Sequence, residues 1–203
     1  MTARDFAARW GGHVPGPMGV RRRFAVLLPL LEEPDGLRLL FEVRAAGVHQ
    51  GGEVCFPGGR AENGENAEDC ALRECWEELA IPPEEIRILG KTDYLLHQRG
   101  FLVQPVAGLV SSAGLAGLSP SPAEVAEVFT VPLSFFQTTP PALYRYQLTP
   151  RAPEDFPYET VGIRRDYPWG EGQVEVPVWQ YDGHVIWGMT ARILRDVLDR
   201  MNG

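Results

Sequence analysis

Three glutamates, Glu74, Glu77 and Glu78, fall within five consecutive residues of a stretch, 66–79, that contains no proline or glycine and is rich in Ala, Leu, Glu and Arg. That composition predicts a helix, with Asn63 or Asn66 available to cap its start. At about 100° per residue the three carboxylates share one side, while Leu72, Cys75 and Leu79 take the other. Like charges at these spacings repel by a few tenths of a kcal/mol per pair, and they sit near the helix C-terminus, where the dipole also disfavours anions. One reading is a solvated acidic face. The other is a set of hard oxygen ligands for Mg²⁺ or Mn²⁺, which bind through a few carboxylates, waters and substrate phosphates. The apolar back of the helix turns the acidic side toward the preceding Gly58-Gly59 turn.

The stretch resembles the Nudix box, G-x5-E-x7-R-E-U-x-E-E-x-G-U with U apolar. Gly59, Glu65, Arg73, Glu74, Cys75, Glu77, Glu78 and Ile81 occupy its positions, and Ala80 stands in place of the final glycine. The resemblance implies an α/β (α+β) Nudix fold, a mixed β-sheet sandwiched between helices with a loop-helix-loop box. It also implies hydrolysis of a nucleoside diphosphate linked to another group. Glu74 and Glu78 would hold the metal, with Glu77 a further ligand or the group that positions water. Glu65 and Arg73 would brace the box as an ion pair.

Upstream, Leu40, Arg44-Ala45 and Gly52-Glu-Val-Cys-Phe-Pro-Gly-Gly59 are similar to the additional signature of the coenzyme A pyrophosphatase branch of that family. Val48 and His49 stand where the branch carries a second arginine. Glu124-Val125-x-x-Val128-Phe129-x-x-Pro132-Leu133 and the closing Trp187-Gly188-x-Thr190-Ala191-Arg192-Ile193-Leu194 resemble further segments of the branch. The implied substrate is coenzyme A or a derivative, cleaved to 3′,5′-ADP and 4′-phosphopantetheine. Another Nudix diphosphate (ADP-ribose, a dinucleoside polyphosphate, an oxidised nucleoside triphosphate) is the alternative, and a non-catalytic ligand-sensing module a more distant one. Glu124 becomes a candidate general base beside Glu77, or a further metal contact; it reads equally as a solvent-exposed residue at the start of a strand. Glu127, three residues on, would point to the opposite face.

Gly51, Gly52, Gly58 and Gly59 let backbone N–H groups approach a phosphate, or serve turn geometry alone. Arg44, at a strand end facing this loop, can clamp a phosphate or pair with Glu62 or Glu65. His49 reads as a loop surface residue. Arg21-Arg22-Arg23 is open to a phosphate-binding reading and to that of a solvated strand start.

The remaining chain must place these groups. Its 203 residues, 44% hydrophobic and 23% charged, suit one domain over 1–203, with an N-terminal extension over 1–20 and an irregular insertion over 137–172. A net charge of −8 opposes general nucleic-acid binding. Bound divalent metal would reconcile an acidic protein with a phosphate substrate. Cys55, Cys70 and Cys75 read as small buried groups in a reducing compartment. No signal pattern or apolar run of about 18 residues occurs, so no membrane partner and a cytoplasmic setting are expected, while the resemblance implies a small diphosphate as the partner. The apolar hairpins leave a homodimer open.

The pattern predicts a helix over 3–10, a hairpin from 24–31 and 37–44 through the Glu33-Pro-Asp-Gly36 turn, and a second hairpin from 87–97 and 101–110. A mobile loop over 111–122, a strand after Glu124, a hairpin from 173–181 and 184–187 about Asp182-Gly183, and an amphipathic helix over 187–198 complete the expectation.

Overall fold

The computed structural model describes residues 1–201. After a short helix, α1 (Ala3–Trp10), the chain forms the long hairpin β1 (Arg22–Glu33) and β2 (Gly36–Arg44), closed by the expected turn. Two short strands, β3 (Val54–Cys55) and β4 (Gly58–Arg60), lead to α2 (Ala67–Leu79). Then follow β5 (Ile86–Lys91), β6 (Leu95–His97), β7 (Phe101–Val110), α3 (Ser112–Ala116), β8 (Val125–Pro132) and α4 (Leu133–Thr138). The C-terminal part holds β9 (Ala142–Leu148), α5 (Tyr158–Val161), β10 (Gly172–Tyr181), β11 (His184–Ile186) and α6 (Gly188–Met201).

The main sheet runs β3-β2-β1-β7-β5, with β4 on β1, β6 on β7 and β8 on β2. It is mixed: β1 and β7 are parallel, while their other pairings are antiparallel. The run Phe24–Leu31 is apolar throughout because both faces of β1 are covered. Ala25, Leu27 and Leu31 pack with Cys70, Ala71, Cys75 and Leu79 of α2. Leu28 packs on the other side with Phe41, Trp179, Ile193, Leu194 and Leu198, the last three from α6. The sheet is thus sandwiched between helices. Pro29 is tolerated inside β1 because it falls between the β4 ladder, which covers Phe24–Val26, and the β2 ladder, which starts at Leu30.

Asn66 caps α2, its side chain accepting from Glu68 N and Asp69 N at 2.9 and 3.0 Å. The helix ends at Ala80 in the left-handed conformation, φ 56°, the geometry for which glycine is the usual C-terminal residue. A Cβ there costs about 1 kcal/mol. Ala80→Gly should therefore raise stability by about that amount, seen as a melting temperature ~2–4 °C higher.

Four expectations need correction. Residues 87–97 are two strands, since the β5 ladder shifts register between Ile88 and Gly90 and stops at Lys91. The 111–122 loop contains α3, capped by Ser111 Oγ accepting from Gly114 N at 3.0 Å. The 137–172 segment is less irregular than its prolines suggest: β9 pairs along its whole length with β10. Cys70 and Cys75 are buried, but Cys55 is only partly so. The Asp182-Gly183 turn has φ of 46° and 82°, positive at both positions as the tight hairpin requires. Among the described residues no helix is long and apolar enough to cross a membrane.

Candidate active site

Gly58 and Gly59 lie on β4, opposite Val26 and Ala25 of β1. The missing side chain of Gly59 is what admits the Glu74 carboxylate, and that of Gly58 what admits the β1 backbone. A Cβ at Gly59 would occupy the space of the Glu74 carboxylate, and one at Gly58 would collide with the Ala25 carbonyl and Val26 Cα. The Gly58 N–H donates to Glu78 Oε2 at 2.8 Å. Gly59→Ala should displace Glu74 and lower turnover at least tenfold with little change in melting temperature, whereas Gly58→Ala, at φ 154° and against backbone, should cost stability instead. Melting and steady-state rates on the two variants separate these outcomes.

The acidic row divides in the fold. Glu74 and Glu78, four residues apart, turn inward; Glu78 is 2% exposed. Glu77, at the other edge of the arc that the three glutamates span and about 100° from Glu78, stays exposed, held by Arg73 Nη1 at 3.1 Å. Sharing of one side by all three is therefore corrected: the buried side of α2 includes Glu78 together with Cys75 and Leu79. Arg73 is the hub of the box. It donates through Nε to Glu65 Oε1 at 2.9 Å and through Nη2 to Glu65 Oε2 at 3.1 Å, and Nη1 lies 2.9 Å from Glu74 Oε1. These hydrogen bonds hold the Glu65 carboxyl down at about 2.

A residue absent from the sequence reading completes the group. Glu42 of β2 is 0% exposed, accepts from Cys55 Sγ at 3.1 Å and leaves Oε2 buried without a partner. Burial pushes its carboxyl up to about 7, with the Glu124 and Glu74 charges adding to the rise. Glu78 goes up to about 8, first through burial and then through the charge on Glu42. Glu74 is raised too, chiefly by burial and, among its neighbours, by Glu77 and Glu124. Glu124 stands exposed just before β8, its carbonyl accepting from Ala45 N at 2.8 Å. Glu127 is engaged elsewhere, 3.0 Å from His184 Nε2.

Arg44 does not pair with Glu62 or Glu65, because Arg73 has taken Glu65. Its Nε donates to the His49 carbonyl at 3.0 Å, and its charge favours ionised Glu42 and Glu78. His49 is exposed.

The result is an excess of buried or half-buried negative charge, Glu42, Glu74 and Glu78, with Glu124 at its rim and Arg44 as the nearby cation. One buried carboxylate oxygen has no partner. Such a donor set fits a hard divalent ion. Among the described residues no three acidic, histidine or cysteine side chains converge closely enough to hold an ion by themselves, so any ion here would need water or substrate oxygens as further ligands.

Residues 21–139 match the family model of the NUDIX domain. A Photorhabdus laumondii protein named Uncharacterized Nudix hydrolase NudL is 32% identical over 206 residues, covering 99% of this chain and 98% of its own. A Pectobacterium atrosepticum protein of the same name is 32% identical over 197 residues, 95% of this chain and 91% of its own. Peroxisomal coenzyme A diphosphatase NUDT7 of Mus musculus is 36% identical over 129 residues, 63% of this chain and 53% of the mouse protein.

Proposed function

The chain belongs to the Nudix hydrolase family, and from that premise we propose that it hydrolyses the diphosphate linkage of coenzyme A or a derivative, giving 3′,5′-ADP and 4′-phosphopantetheine. The observation that carries the hydrolytic part is the seating of the Glu74 and Glu78 carboxylates against Gly58-Gly59, beside the buried Glu42, which gathers hard oxygen donors in one place. The substrate part draws on the Gly52–Gly59 segment that feeds this turn and on the likeness to a relative named as a coenzyme A diphosphatase.

Nudix hydrolases need divalent metal ions. Glu74 and Glu78, with Glu42 and Glu77 in reach of the same charge balance, would hold Mg²⁺ or Mn²⁺, which neutralises the diphosphate and acidifies an attacking water. The chain's own groups do the rest. Arg73 fixes the Glu74 carboxylate from one side while Gly59 leaves its place open on the other. Arg44 offers a guanidinium for a non-bridging phosphate oxygen. Glu124 takes the proton from the attacking water, because Glu77 already shares its charge with Arg73 whereas Glu124 sits free in solvent at the rim. Glu65 stays out of the chemistry and braces Arg73.

The test is product analysis on a panel of coenzyme A, ADP-ribose, a dinucleoside polyphosphate and an oxidised nucleoside triphosphate, with each metal. Coenzyme A should give the highest kcat/KM with 3′,5′-ADP as product. A tenfold preference for another member of the panel would replace the substrate assignment.

A further inference from the structure

β3 is a short strand, Val54 and Cys55, yet hydrogen bonds from three neighbouring elements fix it and the residues beside it. Val54 and Cys55 pair with Val43 and Glu42 of β2. The Val54 carbonyl accepts from Thr190 Oγ1 of α6 at 3.1 Å, and the Pro57 carbonyl accepts from Leu27 N of β1 at 2.8 Å. Gly52 N donates to the Arg44 carbonyl at 2.9 Å, and Arg44 N to the Glu53 carbonyl at 3.0 Å. Cys55 therefore stands on a fixed stretch of chain, opposite Glu42 and on the same face of the sheet.

That face is the one α2 covers. Leu40, two residues before Glu42 on β2, packs in one cluster with Cys75 and Leu79, which lie on either side of Glu78 in the helix. Cys55 Sγ donates to Glu42 Oε1 at 3.1 Å, and Arg44 Nη1 lies 4.0 Å from the same sulfur. The three inward acids are thus held alike, each by a donor on a fixed element: Glu74 by Arg73, Glu78 by the Gly58 N–H and Glu42 by the Cys55 thiol. In Glu42 the second oxygen, Oε2, is buried and has no partner among the described residues. Enclosing an acid with one oxygen unpartnered costs stability, whereas two apolar side chains would fill the same space without that cost. Packing alone does not account for the pair.

We propose that Cys55 is a positioning residue: its thiol holds Glu42 by Oε1 so that Oε2 is presented to the Glu74 and Glu78 group as a further oxygen ligand for the divalent ion. This rests on the metal-dependent reading of the site. A hydrogen bond to a ligating carboxylate fixes its orientation, and loss of such a bond lowers metal affinity by roughly 10–100-fold.

Mn²⁺ binding to the full-length protein is measured without substrate, from the loss of the free-ion electron paramagnetic resonance signal, with melting curves to show that each variant is folded. Cys55→Ala should bind Mn²⁺ about tenfold more weakly than wild type. Cys55→Ser should stay within about threefold of wild type, because a hydroxyl also donates. Glu42→Gln should weaken binding about tenfold or more. Adding Cys55→Ala to Glu42→Gln should then cost less than about twofold further, since a residue that acts through Glu42 has nothing left to position. Equal affinity of wild type and Cys55→Ala, or the same tenfold loss from Cys55→Ala in the Glu42→Gln background, overturns the proposal. Glu78→Gln, titrated beside them, reads the metal site itself: loss of Mn²⁺ there with no change in Cys55→Ala rejects the role of Cys55 and keeps the site, whereas no Mn²⁺ on wild type rejects both.

Discussion

Glu78→Gln should lower turnover by about 10³-fold or more, on the order of 4 kcal/mol in the barrier, and leave the fold intact. The side chain is buried, receives the Gly58 N–H and lies in a group of mutually repelling carboxylates. Glutamine keeps the shape and still accepts from Gly58, but removes the charge that would bind a cation. Structural disruption therefore cannot account for the loss. A decrease below tenfold, ~1.4 kcal/mol, would remove Glu78 from the principal ligands.

The metal-free protein should lose stability as pH rises from about 4.5 to about 8. Unfolded, the Glu42 and Glu78 carboxyls titrate near 4.5; folded, they are held up at about 7 and about 8 by burial and mutual repulsion. Between these values the unfolded chain binds fewer protons than the native one, so unfolding becomes easier with increasing pH. The full contribution is present below about 4.5, and on the order of 5 kcal/mol is lost through Glu78 by the time the pH passes 8. Glu78→Gln and Glu42→Gln should each flatten the profile and be more stable than wild type above pH 8. Saturating Mg²⁺ should restore wild type there, because the ion binds only the folded, ionised site. Denaturant midpoints across pH 4–9, with and without Mg²⁺, read all of this; a wild-type profile flat over that range would mean that the buried charges are already compensated within the protein.

The box was legible because its residues are consecutive and one helix fixes their relations. A step of about 100° puts all three glutamates within one arc of about 100°, with Glu77 and Glu78 at its two edges; which edge is buried depends on β1 and β4, outside the helix. Glu42 was hidden for a related reason. Within Leu39-Leu40-Phe41-Glu42-Val43 a lone acid reads as one exposed position of a half-buried strand, and only the pairing of β2 with both β3 and β8 makes it fully enclosed. An acid inside an otherwise apolar run was the available signal. Of the two readings of Arg44, phosphate clamp or partner for Glu62 or Glu65, the pairing with Glu65 is closed by Arg73, whose position eight residues after Glu65 meets it across the loop.

β9 escaped notice because its flanking prolines suggest a loop and its partner lies some thirty residues away. The Asp182-Gly183 turn was read directly, since its conformation is a property of those two residues. Contacts made within a few residues were readable; those closed by distant strands were not.

The central claim is that the carboxylates seated against Gly58-Gly59 gather the divalent ion that enables diphosphate hydrolysis. Anomalous diffraction from crystals grown with Mn²⁺ tests it most directly. A manganese peak in contact with the Glu74 and Glu78 side chains is the expected result. Saturated crystals with no peak there, or with manganese only at exposed acids elsewhere, would contradict it.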